Sequence, residues 1–352
     1  MEIKTNNPAI TVIVPCWKAG KYIDRLLENL QNQTFKNFAV LLVNDGDRTQ
    51  QIDLDRIAAQ DDRISVVWKE NGGASSARNV GIDQTNTEWI VFADADDSFS
   101  PDYLLNLYNS VAGTEAEMGI GGYTQIYVLS GKSSNNFINV TGGSNVMSLN
   151  EAYELILPAR INAYPWNKIY KTSLIKDNKV YMDPKIGVIH DYVFNMELFK
   201  KLKYVSLIPD SGYIYYMEDS GSLVSSYDKN FEHDRRLVIK MEDELNELMG
   251  WSDKRREEAK KKELAKISFM IMSNLYKRRS PLSFREKKKR IKEEVFEKND
   301  IIDAVREIPA NGLIGKINKF LLLRTNPMVA TMSMSVLSFL KNHFFTIYRK
   351  VM

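Results

Sequence analysis

Three carboxylates fall within four residues of this 352-residue chain, in the stretch Val91-Phe92-Ala93-Asp94-Ala95-Asp96-Asp97-Ser98. Like charges this close repel one another and cost free energy to hold together. A hard divalent cation relieves that cost, because Mg²⁺ and Mn²⁺ favour oxygen ligands and share them with a phosphate-bearing substrate. The apolar run from Trp89 to Ala93 reads as a buried strand, and in an open α/β sheet ligands bind beyond the carboxyl ends of strands. A short acidic motif is also what a plain surface turn looks like. The elements around it decide between the two.

Those elements alternate. Strands are expected at Ile10 to Val14, closed by Pro15, at Ala39 to Val43, at Ile64 to Trp68 and at Glu88 to Ala93. Between them, Lys21 to Gln33 has helical spacing with Ile23, Leu26, Leu27 and Leu30 on one face, and helices follow at about Gln51–Gln60 and Ser75 to Gln84. Polar turns, Asn44-Asp45-Gly46-Asp47 and Asn71-Gly72-Gly73, separate the pieces. Strand-helix alternation of this kind predicts a mostly parallel sheet covered by helices. Pro101 suits the first turn of a helix to about Ala112. Met118 to Leu129 reads as extended, and Gly131 to Ser144 as a loop or hairpin tip. Short helices and strands mix over residues 149–217, and from about Phe231 the pattern is helical throughout.

Composition narrows the class. Apolar residues make up 44% and charged residues 26%, as in an ordinary globular protein. The single cysteine, Cys16, excludes an intramolecular disulfide and suits a reducing compartment. The polar start, Met1 to Pro8, lacks a signal-peptide core, and no apolar run reaches the roughly 20 residues of a spanning helix. The net charge of +3 hides an asymmetry: residues 254–352 carry 24 Lys and Arg against 10 Asp and Glu. A basic tail on an acidic front half implies a polyanionic partner. Its interspersed apolar residues favour an anionic membrane surface over nucleic acid, for which no base-reading motif is present.

Six segments then fall into a known order. They are Thr11-Val12-Ile13-Val14-Pro15, Val43-Asn44-Asp45-Gly46, Asn71 through Gly81, and Asp94-Ala95-Asp96-Asp97, with Trp166-Asn167-Lys168-Ile169-Tyr170 and His190-Asp191-Tyr192-Val193-Phe194 downstream. From Ile10 to about Leu223 the chain resembles the family 2 glycosyltransferases, whose nucleotide-sugar-binding fold is called GT-A. The resemblance implies that Pro15, Asp45, Arg78, Asp94 and Ala95 bind the donor nucleotide. Asp45 would read the uracil N–H and Asp94 would lie near the ribose. Asp96 and Asp97 would hold the metal, and Asp191 would be the base that deprotonates the acceptor hydroxyl in one inverting displacement. Trp166, Lys168 and His190 are candidates for the acceptor side.

The same residues have plainer readings. Asp45 is also a common turn and capping residue, Arg78 suits an ordinary ion pair, and Trp166 suits a core. A base needs hydrogen-bond reach to the hydroxyl, and a pKa raised by the site would suit it. Two departures from the family pattern stand out. His190 precedes the base where Glu is usual, and Tyr215-Tyr216-Met217…Ser222-Leu223 lacks the Arg that many relatives carry after the tyrosines. These motivate a second reading, a catalytically impaired GT-A scaffold. Asp94-x-Asp96-x-Ser98 also imitates a phosphatase-like aspartyl hydrolase, which leaves the Asn71–Asn79 segment and Asp191 unexplained.

The expectation is therefore an α/β protein with a GT-A catalytic domain over residues 1–225 and a basic helical region over 226–352. The expected activity is that of an inverting, metal-dependent hexosyl- or N-acetylhexosaminyl-transferase using Mn²⁺ or Mg²⁺. The donor is a nucleotide sugar, with UDP the expected nucleotide, and the acceptor a hydroxyl of a glycan or lipid-linked molecule in surface polysaccharide biosynthesis. The expected location is cytoplasmic, at the inner face of the cell membrane, with no nucleic-acid partner.

Overall fold

A computed structural model describes residues 7–128, 130–140, 145–159, 161–217, 226–277 and 279–343. Residues 1–6, residues 141–144, Ser222-Leu223 and the residues beyond His343 lie outside the described residues. The chain divides into two compact units, residues 1–218 and 219–352.

The front unit begins with β1 (Ile10–Cys16), α1 (Ile23–Gln31), β2 (Phe38–Asp45), α2 (Gln51–Gln60), β3 (Ile64–Lys69), α3 (Gly73–Gln84) and β4 (Trp89–Phe92). Then come β5 (Ser98–Phe99), α4 (Tyr103–Val111), β6 (Met118–Tyr127), β7 (Lys132–Asn136), β8 (Asn145–Ser148) and α5 (Leu149–Ala159). It closes with β9 (Lys168–Lys171), α6 (Thr172–Asp177), α7 (His190–Phe199) and β10 (Tyr204–Met217). The sheet order is β3-β2-β1-β4-β9-β6-β10-β5, with β7 on β6 and β8 on β10. The four strands read from apolar runs pair in parallel, and both central ones are buried almost throughout, which is why they read as continuous apolar runs. Beyond β4 the sheet is mixed: β9 is antiparallel to β4 and β6, while β10 runs parallel to β6.

Register sets the site. Ile13 pairs with both Leu41 and Phe92, so β1, β2 and β4 end at the same edge. Pro15, expected to close the first strand, lies inside β1 opposite Val43. The ladder to β4 stops at Ile13, so Pro15 sits where a missing N–H is tolerated. Helix α1 buries Ile23, Leu26, Leu27 and Leu30, the predicted face. Helix α3 lies close against β1 because Gly81 carries no Cβ; one built there would meet Ile13 Cγ2 at 2.3 Å.

The second unit is helical: α8 (Phe231–Leu248), α9 (Asp253–Asn274), α10 (Phe284–Ile291) running into a π-turn, α11 (Asn299–Glu307), α12 (Gly312–Arg324) and α13 (Pro327–His343). Its core includes Leu264, Ile267, Ile271, Ile291, Val295 and Ile301. Asn326 and Pro327, which interrupt the apolar run of the sequence, start α13: the Asn326 side chain accepts the N–H groups of Met328 and Val329.

Candidate active site

β2 delivers Asp45 to the carboxyl edge of the sheet, 2% exposed. Its carboxylate accepts the N–H of Gly72 (3.0 Å) and of Gly73 (2.8 Å) and the Asn71 amide (3.1 Å), and pairs with Lys69 Nζ at 2.6 Å. Those four donors use the roughly four lone-pair sites of a carboxylate. Asp45 therefore braces the turn that starts α3, and a pyrimidine N–H would enter by displacing one of these donors. Gly46, at φ +84°, keeps the two turns together, since a Cβ there would come within 2.5 Å of the Asn71 nitrogen.

Arg78, on α3, is 3% exposed. One terminal nitrogen donates to Asp94 at 2.6 Å and the other to Asp191 at 2.8 Å, while the buried Nε has no hydrogen-bond partner. One guanidinium thus joins the acidic loop after β4, 16 residues on from Arg78, to the first turn of α7, 113 residues on. Burial alone would lower the pKa of Arg78, but the charges of Asp191 and Asp94 outweigh it and hold the group cationic.

Asp191 stands in the first turn of α7, where the helix dipole favours a carboxylate. Burial raises its pKa, yet the charge of Arg78 and then the hydrogen bond from His190 reverse this and leave it below the usual range. The site lowers this pKa where the sequence suggested a raised one would suit a base. The cause is the Arg78 bridge, which no motif spacing discloses. His190 Nε2 lies 3.0 Å from Asp191, and its Nδ1 lies 2.6 Å from the Gly187 carbonyl. That carbonyl fixes a proton on Nδ1, so the imidazolium form donates to both oxygens. Burial lowers the His190 pKa, but its bond to Asp191 prevails and raises it.

The three aspartates of the acidic loop differ. Asp94 is half-buried on Arg78, Ala95 is buried behind it and Asp96 is exposed. Asp97 is 1% exposed, and accepts the Tyr213 hydroxyl (2.8 Å) and the Tyr216 N–H (3.0 Å). Burial, then Asp94, then Asp96 push its pKa well above the ordinary carboxylate value. Each Asp97 oxygen retains a second lone pair, and a cation beside the loop would reverse the strain the three charges create. Among the described residues no three carboxylate, imidazole or thiol groups converge on one point. The donor set therefore fits a hard cation taking one or two protein carboxylates and completing its shell with phosphate oxygens and water.

Two acceptor-side candidates lie inside the protein. Trp166 is 2% exposed and stacks on Tyr213 (4.4 Å, 11°), Tyr164 (4.7 Å) and Tyr215 (5.4 Å). Lys168 is fully buried, and donates to the Ile161 carbonyl (2.8 Å) and the Asn167 side chain (2.9 Å); burial drives its pKa far down, against the pull of Asp191. Both support the site from below, whereas His190 and Asp191 border it.

Sequence reading passed over Tyr213, whose hydroxyl also accepts the Asp94 N–H at 3.1 Å and so ties both ends of the loop to β10. The alternation Tyr213-Ile214-Tyr215 was its signal, since period two sends both rings to one face. Lys69, the partner of Asp45, had no signal beyond ending a strand.

Residues 11–153 match Glycosyl transferase family 2. Among curated relatives, the uncharacterized glycosyltransferase EpsJ of Bacillus subtilis (strain 168) is 30% identical over 216 residues, 59% of this chain and 61% of EpsJ. The poly(ribitol-phosphate) beta-N-acetylglucosaminyltransferase TarS of Staphylococcus aureus (strain Mu50) is 28% identical over 222 residues, 61% of this chain and 37% of TarS. This chain spans 64% of the length of EpsH and 61% of that of EpsJ, both of Bacillus subtilis. Among solved structures, residues 1–349 of S. aureus TarS in complex with UDP-GlcNAc superpose with a TM-score of 0.65 at 19% identity, covering 95% of this chain and 91% of that one. The fold is that of GT-A proteins, as the sequence predicted.

Proposed function

From the match of residues 11–153 to Glycosyl transferase family 2, we propose that this chain is a metal-dependent, inverting glycosyltransferase of that family. It moves a sugar from a UDP-sugar to a hydroxyl of a glycan or lipid-linked acceptor in surface polysaccharide assembly. One observation carries the reading: Arg78 brings Asp94, on the donor loop, and Asp191, on the acceptor side, onto a single buried guanidinium.

The acceptor oxygen forms a bond to the anomeric carbon while the bond from that carbon to the diphosphate oxygen breaks. The diphosphate leaves with the electron pair, and the acceptor proton passes to Asp191, within one hydrogen bond of the attacking oxygen. Asp96 and Asp97 would hold the divalent cation, which would supply charge neutralisation for the departing diphosphate. Arg78 orients Asp191 and keeps it ionised, so it is ready to receive a proton. Asp45 and the Gly72-Gly73 turn frame the pyrimidine, with Pro15 and Ala95 as its walls. Relatives named for sugar transfer, and a TarS structure holding UDP-GlcNAc, support UDP as the nucleotide.

The tail supports peripheral attachment to anionic membrane at the cytoplasmic face. No helix among the described residues is long and apolar enough to cross a membrane. Instead, Arg285, Lys288, Lys289 and Lys292 line an open concavity of about 850 Å³ together with Glu286, Glu293 and Met328. Met328, Met332, Val336 and Phe339 expose apolar surface along α13. Cations beside apolar side chains are the composition of an interfacial binder.

A panel of nucleotide sugars with Mn²⁺, scored for nucleotide release and thermal stabilisation, tests the enzyme reading. UDP-sugars should stabilise the protein and release UDP slowly, and EDTA should abolish the release. Stabilisation without turnover of any donor would favour a scaffold; release of phosphate from simple phosphomonoesters would favour a hydrolase.

A further inference from the structure

We propose that Arg25 is a diphosphate-binding residue of the donor site, a second cation that faces the acidic loop from α1. The inference rests on the nucleotide-sugar reading above and adds to it a residue that belongs to none of the six motif segments.

Arg25 lies on α1, and one of its terminal nitrogens donates to the backbone carbonyl of Asp96. Its guanidinium carbon sits 4.8 Å from the Tyr216 ring centre and 5.2 Å from that of Tyr22. The Nε is buried without a hydrogen-bond partner. A guanidinium held against aromatic faces keeps its in-plane N–H fork available, and that fork matches the oxygens of a phosphate. Here the fork lies at the acidic loop itself.

The charges near the loop explain why this cation matters. Asp94, Asp96 and Asp97 bring three carboxylates, and a donor diphosphate would add more negative charge. Arg78 is committed to Asp94 and Asp191, and Lys69 to Asp45. At the end of β10, Met217 brings no cation, its sulfur lying 3.5 Å from the Gln125 amide. Arg25 reaches this same end of β10 by resting on Tyr216, and among the described residues no carboxylate pairs with it. A buried donor without a partner costs free energy, and a phosphate oxygen would satisfy the Arg25 Nε. Its hydrogen bond to Asp96 couples the contact to the residue proposed to hold the cation, so both would meet the diphosphate together.

The full-length protein and its Arg25→Met and Arg25→Lys variants would be titrated by calorimetry with uridine, UMP and UDP in Mn²⁺. Arg25→Met should leave uridine affinity unchanged and weaken UDP by about tenfold or more, the scale of one charge-assisted contact. Arg25→Lys, which keeps the charge but loses the fork, should fall between. Equal weakening of uridine and UDP would overturn the proposal, because Arg25 would then only shape the loop; so would unchanged UDP affinity in Arg25→Met. Failure of the unmodified protein to bind UDP would overturn the nucleotide reading and this inference with it. Circular dichroism establishes that each variant is folded, and a Met variant that fails to fold leaves the Lys variant decisive: unchanged UDP affinity there refutes a fork contact.

Discussion

Replacing Arg78 with Met should destabilise the front unit, and by an amount that grows with pH. In the unmodified protein Arg78 holds Asp191 below its ordinary pKa of 3.8, so the pair contributes stability above that value, lost as pH falls through the folded pKa. Methionine fills a similar volume but leaves the partly buried Asp191 beside no guanidinium. Burial, the largest of the influences on Asp191, then dominates and raises its pKa. The variant can escape by protonating Asp191, which caps the cost at about 1.4 kcal/mol for each pH unit above 3.8. That cap is about 4 kcal/mol at pH 7 and about 1.5 kcal/mol at pH 5, and His190 offsets part of it where it is charged. Urea unfolding at pH 5, 6 and 7 followed by Trp fluorescence reads the front unit, which holds four of the five Trp residues. A stability gap that stays constant with pH, or one below about 0.5 kcal/mol throughout, would refute the bridge as the cause of the lowered pKa.

Three further outcomes follow from the same contacts. His190 has a folded pKa raised above 6.5, so its bond to Asp191 stabilises fully below that pH and is lost as pH rises through the folded value; His190→Gln should cost about 1–2 kcal/mol at pH 6 and progressively less toward pH 9, and a flat difference would contradict the imidazolium assignment. Asp97→Asn should preserve the fold but remove the metal-dependent part of UDP binding, read by calorimetry with and without EDTA; unchanged metal dependence would remove Asp97 from the cation site. Gly81→Ala should cost about 1–3 kcal/mol because the new methyl meets Ile13 at 2.3 Å, and a variant as stable as the parent would show that α3 can shift.

The parallel half of the sheet was legible because β1, β2 and β4 are buried almost throughout, so apolar runs and turns mark them directly. Helix α2 spans Gln51–Gln60, the residues predicted, and α8 begins at Phe231, where the helical pattern sets in. The later strands of the mixed half were harder. β5 is two residues long, and β10 pairs with β6 across a break between Ile208 and Tyr213, so neither carries a clean period. At the site, the positions of Asp45, Arg78, Asp94 and Asp191 could be named, but not their partners. Lys69 on Asp45, Arg78 on Asp191 and Tyr213 on Asp97 join residues 24, 113 and 116 apart, and only the tertiary fold creates those pairs. Trp166 and Lys168 show the converse limit, since an aromatic and a lysine beside an active site look alike in sequence whether they face the ligand or the core.

In the proposed mechanism Asp191 takes the acceptor proton while Arg78 ties it to the loop after β4. Asp191→Asn is nearly isosteric, so UDP affinity should stay within a few-fold of the parent. Steady-state UDP release from the UDP-sugar that best supports turnover should fall by roughly 10²–10⁴-fold, the scale of general-base catalysis. Turnover within a few-fold of the parent, with the variant folded and binding UDP normally, would contradict the account and send the proton elsewhere.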